Sequence, residues 1–336
     1  MNHTATSPAL PPPSRLLSSL WMLVRRETWE NRISFIWTPV VFGAIILAML
    51  VMGLIFIERF DTSHLGTMDA IRQFAGHSAA DKTKALAMGL LAIQVPFNIV
   101  LFFVTVFYLL GALYDDRKDR SILFWKSLPV SDALTVGSKL AAAMIWLPLL
   151  FLAATAVTQL IVLLVAGGYA LAAGAGVWST VFGPTHLFTH WGLYLAALFL
   201  QALWLSPIFA WLLLVSSFAP RLPLLFAVGI PLVIGWVQSY LNILQRFDFK
   251  GDTVLTWIGG RLTEGVLPLT LRATIDGKEV MFGVPGSGES RPLEDVLLNF
   301  GYLADHFLNP QLWTGVLIAA MLTAAAIGFR RRATDQ

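Results

Sequence analysis

Six stretches of this chain, each about 20 or more residues long and free of charge, are long enough to cross about 30 Å of hydrocarbon as a helix. They fall at Ile33–Ile57, Gly89–Leu113, Leu140–Ala166, Leu193–Phe218, Leu222–Leu241 and Leu312–Phe329, and none contains Asp, Glu, Lys, Arg or His. Hydrocarbon offers no water to backbone amides, and one charge at the bilayer centre costs at least about 2.5–3.5 kcal/mol. Only helices meet both conditions here. The expected fold is an all-α integral membrane protein with six transmembrane helices. Composition agrees: 57% of the residues are hydrophobic and 13% charged, whereas soluble domains carry about 25% charged residues.

Six crossings place both ends on one side, and the charges choose it. The segments on the terminal side hold 13 basic residues against seven acidic ones, and the opposite side holds 10 against 13. Lys and Arg beside spans stay in the cytoplasm, so Arg25, Arg26, Arg117, Lys118, Arg120 and the Arg330–Arg332 tail are expected inside. The net charge of +3 follows from this bias and gives no reason to expect nucleic acid as a partner. The absence of cysteine excludes disulfides, thiolate metal sites and thiol nucleophiles.

Residues 1–13, with three consecutive prolines, have no apolar periodicity and are expected to be disordered. Over 14–32, Leu16, Leu17, Leu20, Leu23 and Val24 recur at helical spacing opposite Arg25 and Arg26, with Trp21 and Trp29 nearby. That pattern predicts an amphipathic helix in the membrane interface. Residues 33–241 then hold spans one to five, with a cytoplasmic loop at 114–139, and 312–336 hold span six and a basic tail. On the outer side, 58–88 has room for one helix, and the Gly-rich 167–191 is expected to have low local order. Segment 242–311 is too long for a bare connection. Its alternation around Asp276-Gly277 predicts a β-hairpin in a small external subdomain, with a helix over 292–308.

The loop at 114–139 is dense in charge and aromatic residues. Asp115, Asp116, Arg117, Lys118, Asp119 and Arg120 form a mixed-sign cluster, and Ile122, Leu123, Phe124, Trp125 and Leu128 are too apolar for a free loop. Pro129 stops a helix there, and Ser131 or Asp132 caps the next. Such a helix transmits a push if a partner binds it; otherwise it lies on anionic headgroups with Trp125 and Lys126 as anchors.

The run Arg117-Lys-Asp-Arg-Ser-Ile-Leu-Phe-Trp-Lys-Ser-Leu-Pro-Val-Ser-Asp132, together with Val24-Arg-Arg-Glu-Thr-Trp-Glu-Asn-Arg32, resembles the permease subunits of ABC-2 type transporters. The topology is similar over most of the chain. The resemblance implies that the first cytoplasmic loop is a coupling helix docking on a separate nucleotide-binding subunit, and that two permeases pair, here as a homodimer. It would place Asp116, Arg117, Lys118, Asp119, Arg120, Phe124, Trp125, Lys126, Leu128 and Pro129 on the docking surface, the aromatics in a groove and the charges setting register. It also implies export, a bacterial inner-membrane location, and ATP and Mg bound by the partner, with no cofactor in this chain.

No phosphate cradle of its own is evident. Gly283-Val-Pro-Gly-Ser-Gly-Glu-Ser290 has P-loop-like spacing, but Glu289 stands where the phosphate-binding Lys must be. Within the spans, Gln94, Asn98, Gln159, Gln201, Gln238 and Asn242 either line a path for an amphipathic substrate or hydrogen-bond between helices. Pro96, Pro148, Pro207 and Pro231, with Gly229 and Gly235, mark kinks and candidate hinges, and the fifth span is expected to break or bend. The lack of charge within the spans suits a lipid, lipopeptide or hydrophobic drug. Two rival classes stay open: an outer-face enzyme with a metal held by His186 and His190 at i,i+4, and a membrane scaffold that only recruits partners.

Overall fold

The computed structural model describes residues 13–60, 67–119, 130–243, 254–265, 271–275, 278–282, 303–304 and 307–332. Six helical stretches are long and apolar enough to cross a membrane: Ile33–Phe56, Ala79–Lys118, Asp132–Ala172, Trp178–Phe218, Pro223–Ile243 and Pro310–Arg332. The protein is a multi-pass helical membrane protein.

Helix α1 (Pro13–Glu30) precedes the first span, which opens with a π-helical turn at Ile33–Trp37 and continues as α2 (Thr38–Phe60). After the short α3 (Thr67–Ala75) comes the second span, α4 (Ala79–Ala112), extended by α5 (Tyr114–Lys118). The third comprises α6 (Asp132–Ala141), a π-helical turn at Ala142–Trp146 and α7 (Leu147–Ala172). A further π-helical turn at Trp178–Phe182 and α8 (Gly183–Thr185) lead into α9 (Leu187–Phe218), the fourth. The fifth is α10 (Pro223–Ile243), followed by α11 (Val254–Gly265) and strands β1 (Leu271–Ile275) and β2 (Lys278–Phe282). The sixth is α12 (Pro310–Arg332). The strands pair antiparallel, from Leu271 opposite Phe282 to Ile275 opposite Lys278.

Spans two to four run 40, 41 and 41 residues, about 60 Å at 1.5 Å per residue, so they project well beyond the hydrocarbon. This corrects the expectation of low order over 167–191. Gly174 adopts φ +74, and the Ala175 amide donates back to the Ala170 carbonyl at 2.9 Å, a glycine-terminated helix end. The guanidinium of Arg72 donates to the Ala173 carbonyl at 3.1 Å, and Leu90, Leu163, Ala170 and Val181 form a small core beside it. At the start of α4, the hydroxyl of Ser78 accepts from the Asp81 amide, which extends the second span upstream of Gly89.

The helices continue through their prolines. Pro96, Pro207 and Pro231 lie inside α4, α9 and α10, and Pro148 in the first turn of α7, directly after a π-helical turn. Each proline leaves the carbonyl four residues earlier without its usual donor. The Ser206 hydroxyl donates to the Leu203 carbonyl at 2.7 Å, and Trp211 Nε1 donates to Ala227 at 3.0 Å. Those two bonds replace the donors missing at Pro207 and Pro231. The fifth span, expected to break or bend near Pro231, runs through it as one helix.

Helix α9 is the hub. The fourth span's apolar window is 78% buried, against 11% for the first and fifth, with α4, α7, α11 and α12 among the helices packed on it, while α2 and α10 stand at the margin. A second clamp holds α11 to this hub. Arg261, 3% exposed, donates to the Trp204 carbonyl at 2.6 Å and to the Gln311 carbonyl, and its guanidinium lies 4.5 Å and 4.6 Å from the Trp204 and Trp257 rings. A Cβ at Gly315 would overlap that guanidinium, so the first turns of α12 need glycine there.

Candidate functional site

Four separate segments bring charged side chains into one buried junction where spans two, three and six end. Glu27 lies on the face of α1 that also carries Leu20 and Val24, and is 1% exposed. Lys139, in the last turn of α6, places its ammonium 3.1 Å from one Glu27 oxygen and 3.5 Å from Asp116 of α5. Arg330, in the last turn of α12, reaches Asp116 through Nη1 at 3.2 Å and Asp132 through Nε at 3.1 Å. The Tyr108 hydroxyl donates to Glu27 at 2.9 Å, while Arg26 pairs with Glu27 at 2.9 Å and Glu30 at 3.0 Å. Burying one such charge unpaired costs several kcal/mol, so these groups hold each other in register.

The position of Arg330 matters most. Asp116 lies just before segment 120–129 and Asp132 just after it, and the same guanidinium holds both. The two ends of the segment are therefore tied together and to the sixth span. Lys139 adds α1 to the same knot. The fourth span joins from its end: Ser216 Oγ accepts from the Leu113 and Tyr114 amides at 2.9 Å each, and Arg117 donates to the Ser216 and Ala219 carbonyls at 2.9 and 2.8 Å. A cation on the last carbonyls of α9 also complements the helix dipole.

The residues expected on the docking surface divide by their engagement within the chain. Asp116 and Arg117 are engaged inside the chain, whereas Lys118 and Asp119 are exposed. Arg120, Phe124, Trp125, Lys126, Leu128 and Pro129 lie outside the described residues. Ser131, and not Asp132, caps α6, accepting from the Leu134 amide at 3.2 Å, which frees the Asp132 carboxylate for Arg330.

A recess of about 470 Å³ opens beside the junction, lined by Glu27, Glu30, Asp115, Asp116 and Asp119 against Lys139. Burial pushes the Glu30 carboxyl above its ordinary 4.5, Arg26 pulls it back, and Glu27 raises it again. Folded Glu30 thus keeps its proton to higher pH than unfolded Glu30, and stability falls as pH rises from about 4.5 through the folded value. Glu30→Gln is expected to melt above the parent at pH 7.5, with the difference gone at pH 4. Equal melting temperatures at both pH values would show that Glu30 is solvated.

The polar residues within the spans gather in three places. Asn98 and Gln159 meet Tyr194, His190 and Trp191 at the start of α9, while Gln94 is buried one turn before Asn98 with its Oε1 unpartnered among the described residues. Gln159 Nε2 donates to the Leu90 carbonyl at 3.0 Å, Trp191 Nε1 donates to Gln159 at 2.9 Å, and the Tyr194 hydroxyl donates to Asn98 at 3.4 Å. Gln201 instead lines a small void with Thr105 between α4 and α9. Gln238 accepts from the Val254 amide at 3.0 Å and so caps α11, with Asn242 one turn further along α10. These residues do not make one continuous path.

Of the rival pair, His190 is 4% exposed and its Nε2 lies 3.4 Å from Gln159 inside the bundle. His186 is exposed at a left-handed corner, φ 42. Gly283–Ser290 lies outside the described residues. Among the described residues no group of three or more His, Asp or Glu is placed to hold a metal ion.

Sequence reasoning missed Glu27, Tyr108, Asp132 and Arg330 as partners. A signal existed for Glu27: it continues the Leu20, Val24 spacing of an apolar face, where a carboxylate requires a buried cation. Comparison with protein-family models, with curated proteins and with solved structures gives no match.

Proposed function

We propose that this chain is the membrane-spanning permease of an ATP-driven exporter of the ABC-2 type. The reading starts from the resemblance in 24–32 and 117–132. One observation carries it further: Arg330 grips Asp116 and Asp132 at the two ends of segment 120–129 while Lys139 ties Asp116 to Glu27. A load that reaches either end of that segment meets this knot of ion pairs. Because the pairs are buried, moving Asp116 or Asp132 without Arg330 and Lys139 would strand a charge at a cost of about 3–5 kcal/mol. The helices carrying those groups must move with it.

In this reading a soluble nucleotide-binding subunit, which supplies the ATP and Mg site, docks on 116–132, with Phe124, Trp125 and Leu128 entering its groove. Two permeases pair as a homodimer. Both termini and α1 lie at the cytoplasmic face of a bacterial inner membrane, α1 in the interface, with β1 and β2 on the far side. The cargo is hydrophobic or amphipathic, since the spans offer neutral amides and no ion relay.

Co-expression with candidate soluble ATPases is expected to yield a complex whose ATPase activity rises on assembly. Trp125→Glu is expected to abolish co-purification, because a carboxylate in an apolar groove is left unpaired. Unchanged co-purification of Trp125→Glu would move the docking surface elsewhere.

A further inference from the structure

Helices α4, α9, α10, α11 and α12 surround a groove of about 470 Å³. Every side chain lining it is apolar, and the indole N–H of Trp211, one of its walls, is spent on the Ala227 carbonyl at 3.0 Å. Water would find no partner there, and a polar ligand would lose its hydration without replacement.

The groove is not sealed. Phe103, Val228, Leu232 and Trp257 line it and are 53%, 50%, 51% and 39% exposed, so it is continuous with the apolar surface that the second and fifth spans present to the bilayer. The solvent at that depth is hydrocarbon. Helix α10 stands over the groove on few supports: Trp211 on Ala227, Gln238 on the Val254 amide, and Leu255 packed against Gly235. Its opposite face, with Leu225, Val233 and Trp236 at 65%, 60% and 73% exposure, does not line the groove. A second copy packing on the fifth span would meet that face.

We propose that this groove binds one acyl chain of a membrane lipid, seated between α4, α9 and the inner face of α10. A groove of about 470 Å³ falls within the roughly 300–1,000 Å³ of ordinary ligand sites, room for one chain and not for a packed helix. The chain completes the packing beneath a helix that its own protein leaves largely uncovered. The inference rests on the six spans and not on the transport reading, and it stands whether or not an ATPase binds.

The test uses the full chain in nanodiscs of phosphatidylethanolamine and phosphatidylglycerol, doped with a phospholipid carrying a mid-chain diazirine. After photolysis, adducts are mapped by peptide mass spectrometry. Adducts on Phe103, Leu232 and Ile318 are expected at least fivefold above those on Leu225 and Val233, although the latter are more exposed. Ile208→Trp, which fills the groove, is expected to lower the groove adducts fivefold or more. Val228→Trp, at its margin, provides the same readout if Ile208→Trp misfolds, and Val233→Trp on the outer face leaves labelling unchanged. Groove adducts no higher than those at Val233 would overturn the proposal. So would efficient crosslinking between two copies through a single cysteine at Leu232 of the otherwise cysteine-free chain, which would give the groove to a second copy.

Discussion

Lys139→Met is expected to cost about 3–5 kcal/mol of stability, the largest effect of any single substitution in the ionic junction. The ammonium is 3% exposed and sits between Glu27 and Asp116 at 3.1 and 3.5 Å. Methionine fills the space of the stem but leaves two carboxylates facing each other, with Glu27 supported only by Arg26 and the Tyr108 hydroxyl. Because the penalty comes from stranded charge, removing that charge should restore much of the loss. The double variant Glu27→Gln/Lys139→Met is therefore expected to be more stable than Lys139→Met alone, with a coupling energy of about 1–3 kcal/mol. Reversible denaturation in bicelles measures all four corners of the cycle. A loss below about 1 kcal/mol for Lys139→Met would mean that the junction behaves as a solvated surface pair.

Arg261→Leu is expected to cost roughly 3–5 kcal/mol. Two hydrogen bonds from a charged donor to backbone carbonyls contribute about 1.5–3 kcal/mol each, and the two indole faces add about 0.5–2, partly offset by the apolar replacement. The loss should be local at first: α11 has Arg261 as its bridge to both α9 and the start of α12, so hydrogen exchange should quicken over 254–265 before the bundle opens. Gly315→Ala tests the same clamp from the other side. Its added methyl overlaps the guanidinium and should cost about 1–3 kcal/mol in the parent, yet much less beside Arg261→Leu, where nothing fills the space. Additive effects of the two changes would show that Gly315 is constrained by something other than Arg261.

Hydrocarbon imposes a simple code, and that is why the spans were legible. Length and the absence of charge place Ile33–Phe56 and Pro223–Ile243 within a residue or two of where the sequence puts them. Where a helix leaves the membrane the code stops. Spans two to four continue to 40 or 41 residues by taking in α5, α6 and the turns before α9, and no hydropathy window reports those extensions. The Gly-rich stretch near 174 looks like a loop in composition and is a helix end followed by another helix. The ionic junction was half legible. The charges near 116 stand out, but Arg330, which binds Asp116, is 214 residues downstream, and Glu27, which shares Lys139 with Asp116, is 89 upstream, and only the fold brings them together. The neutral amides show the reverse limit: Asn98 and Gln159 both bond to side chains at the start of α9, whereas Gln201 and Gln238 lie apart from them, because helical phase alone does not say which neighbour a side chain meets.

The transport account depends on load entering from the cytoplasm through segment 120–129, and one labelling experiment addresses that directly. A single cysteine at Ser127, in the segment between Asp116 and Asp132, is exposed to a membrane-impermeant maleimide in right-side-out and inside-out vesicles, with and without the associated ATPase. The account predicts labelling only in inside-out vesicles, and protection there until the ATPase is stripped away. Labelling in right-side-out vesicles, or equal labelling with the ATPase present and absent, would contradict it.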